Sequence, residues 1–115
     1  MTNRREQLEE LHACLGELVL VLAQDPSCQW RKHFANCERD AASLLSGQFT
    51  QSELNQLSGS VTHVYGGAGS FTDYAPIQVA GDGTFKVIAG MEQLTELSGK
   101  VHSSAFALRV IGNAP

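Results

Sequence analysis

Hydrophobic residues recur every three or four positions at the start of the chain, which predicts a helix from about Thr2 to Ala23. One face of that helix carries a stripe formed by Leu8, Leu11, Leu15, Leu18 and Leu22. The last five residues of the stripe region, LVLVL, are apolar around most of the circumference. A helix of this kind is usually central in its fold or covered by a partner. We expect a central position, and a homodimer seam along this first helix is the alternative.

Helical spacing resumes after a break at Asp25 and Pro26. A second helix is predicted from about Cys28 to Ser46, and Gly47 is well placed to end it. Its buried face should consist of Trp30, Phe34, Cys37, Ala41 and Leu44 or Leu45.

A short third helix is predicted after the second. Thr50 and Glu53 have the spacing of a capping box, in which each side chain bonds the other residue's backbone. We expect the helix to run through about Leu57. Residues 58–60, Ser-Gly-Ser, should then open a glycine-rich region.

The period of the pattern changes after Pro76. Apolar and polar residues alternate at 77–79 and at 85–87, and Gly81-Asp82-Gly83 between them is suited to a turn. This predicts a small β-hairpin from about Tyr74 to Ala89. Helical spacing returns from about Glu92 to Val110.

The expected fold is therefore α+β and mostly α, in one domain spanning residues 1–115. It has three N-terminal helices, a Gly-rich loop, a small β-hairpin and a C-terminal helix. A chain of 115 residues has the size of a single domain with one core. The residues that we expect to be buried together are Leu11, Leu15, Leu18, Leu22, Trp30, Phe34, Leu44, Val101 and Leu108.

Composition narrows the class of protein. Hydrophobic residues at 43% and charged residues at 17% are typical of a globular chain. The net charge of −4 and the lack of a Lys/Arg stripe argue against a nucleic-acid partner. No apolar run is long enough for a membrane span, and the charged first ten residues are unlike a signal peptide. Three cysteines, an odd number without a disulfide pattern, suggest reduced thiols in the cytoplasm.

Residues 65–76, YGGAGSFTDYAP, are the most informative segment of the chain. Glycine permits positive φ and close approach of another segment, so Gly66, Gly67 and Gly69 are expected to shape the loop. Ser70 and Phe71 are expected to belong to the structural part of the loop as well, and the side chain of Phe71 is expected to point inward. The residues that we expect to be displayed for binding are Tyr65, Asp73, Tyr74 and Asp82.

Two kinds of reactive site are the alternatives to this interpretation. Cys28, His33 and Cys37, with His12 and Cys14 as further candidates, could bind a metal ion, but a thiol on an apolar helix face usually serves as a small hydrophobe. No metal or cofactor is expected.

A catalytic group could be imagined among His63, Tyr65, Ser70 and Asp73. The segment lacks both the G-x-S-x-G elbow and the Gly-Lys-Ser/Thr of a phosphate loop. No catalytic residue is assigned, and a non-enzymatic role is favoured.

The segment 64–73, VYGGAGSFTD, resembles the motif GGMGSFND of a family of small uncharacterised bacterial proteins. Gly66, Gly67, Gly69, Ser70, Phe71 and Asp73 match that motif, whereas Ala68 and Thr72 stand where methionine and asparagine are usual. In that family, a predominantly helical N-terminal half that contains a tryptophan precedes the motif. Here Trp30 loosely matches that tryptophan. The resemblance implies a bacterial cytosolic protein and carries no known activity.

The sequence therefore indicates a class of function and no specific activity. Small, acidic, single-domain bacterial proteins include immunity proteins, which neutralise a cognate toxin by binding it, and we expect a protein-binding domain of this kind. The alternative is a small-molecule or anion-binding domain that uses the backbone N–H groups of the Gly-rich loop. A structural accessory subunit that forms a homodimer is a third possibility.

Overall fold

The computed structural model of the protein describes residues 3–26, 28–66, 71, 74, 77–79 and 81–112. Within these residues the chain forms four helices and two strands, and the expectation of a mostly helical protein is confirmed. The elements are α1 (Arg4–Leu22), α2 (Arg31–Leu45), α3 (Gln51–Thr62), β1 (Ile77–Val79), β2 (Phe85–Val87) and α4 (Leu94–Gly112).

The four helices form an antiparallel bundle in which each packs against two others, in the order α1, α2, α3, α4 and back to α1. Arg5, at the start of α1, donates to the carbonyl oxygens of Leu45 and Gly47 at the end of α2, at 3.1 and 2.8 Å. Gln51, at the start of α3, likewise donates to the carbonyl of Leu108 near the end of α4, at 3.2 Å. The end of α1 and the start of α4 therefore lie together at the end of the bundle that carries the hairpin.

The core lies between the helices and contains most of the residues expected there. Trp30 and Leu44 are exceptions, because each is only partly buried against the core. Trp30 is the N-cap residue before α2, and Leu44 is the next-to-last residue of that helix. The predicted core residues that are fully buried are Leu11, Leu15, Leu18, Leu22, Phe34, Val101 and Leu108.

The third helix is longer than predicted. Its capping box is present, with Thr50 and Glu53 bonding each other's backbone. The helix does not end at Leu57 but continues through residues 58–60 to Thr62. Ser58 is fully buried there and accepts hydrogen bonds from the guanidinium of Arg109 at 3.2 and 3.3 Å. This contact with α4 outweighs the weak helix propensity of the Ser-Gly-Ser sequence.

The two strands form an antiparallel hairpin in the segment for which the alternating pattern predicts one. Ile77 pairs with Val87, and Val79 pairs with Phe85. Side chains that are directly opposite one another, or two residues apart on one strand, point to the same side, so Ile77, Phe85 and Val87 share one face. The turn contains Gly83 at φ +87°. Neither strand packs against a helix of the described chain.

The structure refines the other predicted boundaries by a few residues. The second helix begins at Arg31 rather than Cys28, and the last begins at Leu94 rather than Glu92. Within the described ranges, no helix combines the length and the apolar composition that crossing a bilayer requires.

Candidate functional site

Phe71 is the centre of an aromatic cluster at the hairpin end of the bundle. Its ring is buried and lies edge-on to Phe34, Tyr65 and Trp30, at centroid distances of 4.8, 5.4 and 6.0 Å. It also stacks on Tyr74 at 6.1 Å. Tyr65 also lies edge-on to Phe34, at 6.2 Å, so two aromatic side chains tie the glycine-rich segment to α2, and Phe71 is the inward anchor that we expected.

Tyr65 belongs to the internal packing of the domain. Its hydroxyl donates to the carbonyl oxygen of Ser98 on α4 at 2.9 Å, and its ring lies edge-on to His102 at 4.8 Å. Burial raises the pKa of the Tyr65 phenol above its ordinary value. The side chain therefore joins the loop to α4.

Tyr74 has a comparable internal role. Its hydroxyl donates to the carboxylate of Asp25, just after α1, at 2.6 Å. Burial, followed by this hydrogen bond, raises the pKa of Tyr74. Tyr65 and Tyr74 are both half-buried, and both hydroxyls are bonded within their own chain, so each side chain takes part in internal packing. Their role in binding stays a prediction.

Of the predicted binding residues that the structure describes, Asp82 is the one with an exposed side chain. It lies in the hairpin turn, where its Oδ1 accepts from the hydroxyl of Thr84 at 2.6 Å and from the Thr84 N–H at 3.1 Å. These hydrogen bonds lower the pKa of Asp82. An exposed negative charge is therefore fixed at the tip of the hairpin.

Several residues of the predicted loop lie outside the described residues, namely Gly67, Gly69, Ser70 and Asp73. Gly66 is described and has φ +120°, a conformation that favours glycine. This positive φ agrees with the expectation that the glycines determine the shape of the loop.

A second region lies on the surface between α2 and α3. A concavity of about 560 Å³ is lined by His33, Gln56, Gly59, Ser60 and His63. Burial lowers the pKa of His33, and His63 lowers it further, against the effect of a hydrogen bond with the Ser60 backbone. The neutral imidazole is therefore the favoured form.

The cysteine beside His33 is not activated. The Sγ of Cys37 lies 3.7 Å from the Nε2 of His33. Burial, with a contribution from Asp40, raises the pKa of the Cys37 thiol to about 11. A thiol that stays protonated at neutral pH is a poor nucleophile and a poor metal ligand. In the part of the chain that the structure describes, no three His, Cys, Asp or Glu side chains group so as to hold a metal ion.

The lowered pKa of His33 gives a pH-dependent stability. The unfolded chain binds a proton at His33 near pH 6.5 and the folded chain only at lower pH, so the free energy of unfolding should fall as the pH drops below 6.5. Urea melts above and below that pH should show the decline, and His33→Gln should flatten it. His12→Gln is the matched control. Equal declines in the wild type and in His33→Gln would contradict the assignment.

The hairpin carries an exposed apolar face that the sequence interpretation did not assign to function. Ile77, Phe85 and Val87 are 47%, 68% and 49% exposed, and all three lie on that face. The outer edges of both strands also pair with no described strand. We call the segment from Ile77 to Val87, including the turn at Asp82, the hairpin arm.

Comparison of the chain with protein-family models, with curated proteins and with solved structures gives no match. The resemblance of residues 64–73 to a bacterial motif therefore stays a hypothesis. Function has to be inferred from the geometry of this chain.

Proposed function

We propose that this protein is a non-enzymatic, protein-binding domain and that the hairpin arm is its contact element. The observation that carries the proposal is the exposed face of Ile77, Phe85 and Val87 on a hairpin that packs against no described helix. Contiguous exposed apolar residues with a polar rim are typical of protein interaction sites. Aromatic anchors such as Phe85 often carry much of the binding energy.

The backbone of the arm adds a second means of recognition. A strand with an unpaired edge can accept an extended segment of a partner, so that main-chain hydrogen bonds supply affinity and side-chain contacts supply specificity. The arm has two such edges in the described chain.

A cognate bacterial toxin with a basic surface is the partner class that we propose, with the protein acting as its immunity protein in the cytoplasm. The net charge of −4 and the exposed carboxylate of Asp82 at the tip of the arm favour a basic partner. Charges of this kind accelerate association and make it sensitive to salt. The three free cysteines agree with a reducing compartment.

The proposal that the hairpin arm is the contact element can be tested by capturing the partner and measuring its affinity for single-residue variants. Phe85→Ser should weaken the captured complex by about 2 kcal/mol or more, roughly thirtyfold in the dissociation constant. Asp82→Asn should mainly slow association at low salt. Both can be measured by surface plasmon resonance, with thermal unfolding as a check that the domain stays folded.

The matched control is Phe106→Ser, on α4, since Phe106 is another phenylalanine with an exposed side chain and lies outside the arm. It should leave the affinity unchanged. If Phe85→Ser and Phe106→Ser have equal effects on a captured partner, the arm is not the contact element.

A further inference from the structure

A cavity of about 220 Å³ lies between α1 and α4, toward the end of the bundle opposite the hairpin arm. Its lining residues are Gln7 and Glu10 of α1 and Ser103, Ser104 and Ala107 of α4. The polar groups of these side chains are an amide, a carboxylate and two hydroxyls, and none of the five residues carries a positive charge. We call this the polar cavity.

The amide of Gln7 has an unsatisfied acceptor. Its Oε1 is buried and has no hydrogen-bond partner among the described residues. Buried polar atoms nearly always have a partner, because an unpaired one costs folding free energy. The terminal torsion of a glutamine side chain is soft, so a small rotation turns this oxygen toward a donor in the cavity. An N–H group of a ligand would therefore satisfy it.

The carboxylate of Glu10 adds a negative charge to the same cavity. Within the described residues, no Lys, Arg or His side chain pairs with it. Burial raises the pKa of the Cys14 thiol and the charge of Glu10 raises it further, although Cys14 also bonds with the Ser104 hydroxyl of the cavity wall. Lys100 acts on Cys14 in the opposite direction, but it pairs with Glu96 at 3.7 Å. The cavity wall is therefore negative without a cation of its own.

We propose that the polar cavity binds a small primary alkylamine in its protonated, ammonium form. An ammonium group has three N–H donors and no acceptor, which suits the Oε1 of Gln7, the carboxylate of Glu10 and the hydroxyl of Ser103. The hydrogen bond to the carboxylate is charge-assisted and therefore the strongest of the three. The methyl group of Ala107 lies in the wall and can contact the alkyl chain. This site is separate from the hairpin arm and goes beyond the protein-binding function.

The size and the ligand set of the cavity favour an organic amine over a metal ion. Ca²⁺ takes about six to eight oxygen ligands, whereas this wall offers a single carboxylate. In the described part of the chain, no three His, Cys, Asp or Glu side chains group so as to hold a metal ion. One water molecule occupies about 30 Å³ of liquid, so a cavity of about 220 Å³ has room for a short alkylamine.

An NMR titration of the full chain with n-butylammonium chloride at constant ionic strength tests the proposal. The backbone amide signals of Gln7, Glu10 and Ser103 should shift and saturate at millimolar amine. Glu10→Gln should raise the dissociation constant at least about tenfold. The matched control is Glu9→Gln, an exposed neighbour outside the cavity wall, which should leave it unchanged. Tetramethylammonium has the charge without N–H donors and should give no saturating shifts.

Gln7→Met separates binding from a structural role of the glutamine, because it keeps the side-chain length and removes both polar groups of the amide. It should weaken n-butylammonium binding at least about tenfold, while the melting temperature without amine stays the same or rises, since the unsatisfied acceptor is gone. A lower melting temperature with unchanged amine binding would overturn the proposal. So would equal shifts with tetramethylammonium, equal effects of Glu9→Gln and Glu10→Gln, or no saturating shifts with the wild type.

Discussion

Phe71→Ala should lower the free energy of unfolding by about 3–5 kcal/mol, the usual cost of truncating a fully packed phenylalanine. Phe71 is buried, and its ring contacts Phe34 on α2 as well as Tyr65 and Tyr74 of the glycine-rich segment. Truncation leaves a cavity where these rings meet. It also removes the side chain that holds the segment against the bundle. Urea melts monitored by circular dichroism measure the change.

Phe106→Ala is the matched control for this experiment, since the same atoms are removed from a side chain that is 47% exposed. Its cost should stay within about 1 kcal/mol because little packed volume is lost. If Phe71→Ala costs no more than Phe106→Ala, the ring does not anchor the segment.

Leu18→Ala should cost about 2–5 kcal/mol, because Leu18 is fully buried in the core on α1. Leu20, two residues further on the same helix, points away from the core. Leu20→Ala should therefore change the stability of the monomer by about 0.5 kcal/mol or less. Both variants are measured by urea melts at a protein concentration that keeps the chain monomeric.

The contrast between these two leucines tests the position of α1. A loss below about 1 kcal/mol for Leu18→Ala would place that side chain outside a packed core. A large loss for Leu20→Ala in the monomer would show that its side chain is covered within one chain.

The helical part of the fold follows from local signals in the sequence. The leucine stripe of α1 and the capping box at Thr50 and Glu53 are short-range patterns, and the structure shows both. The end of α3 could not be predicted in this way. The helix continues where the buried Ser58 accepts two hydrogen bonds from Arg109, a residue far from it in the sequence.

The candidate site was harder to predict for the same reason. A tyrosine next to glycines looks exposed in a sequence, but the acceptors of Tyr65 and Tyr74 are Ser98 and Asp25, on distant parts of the chain. Asp82 was identified because turn chemistry is local.

Phe85 was missed, although its signal is present in the sequence. Apolar residues alternate with polar ones at 77, 79, 85 and 87, a pattern that predicts one apolar face on a two-stranded hairpin. A two-stranded hairpin is marginally stable by itself, so such a face needs a cover. Whether a helix of the same chain supplies that cover depends on tertiary packing, which a sequence pattern does not show.

Photo-crosslinking from the hairpin arm tests the central claim most directly. A photoreactive phenylalanine analogue is placed at position 85 or, as the control, at position 106, and the cells that naturally produce the protein are irradiated. Binding through the arm predicts a discrete protein adduct from position 85 and none from position 106. An adduct with the mass of two chains would identify a second copy of the chain as the partner, and a heavier or lighter one would identify another protein. The absence of any adduct from position 85, or the same adducts from both positions, would contradict the claim that the arm is a protein-binding element.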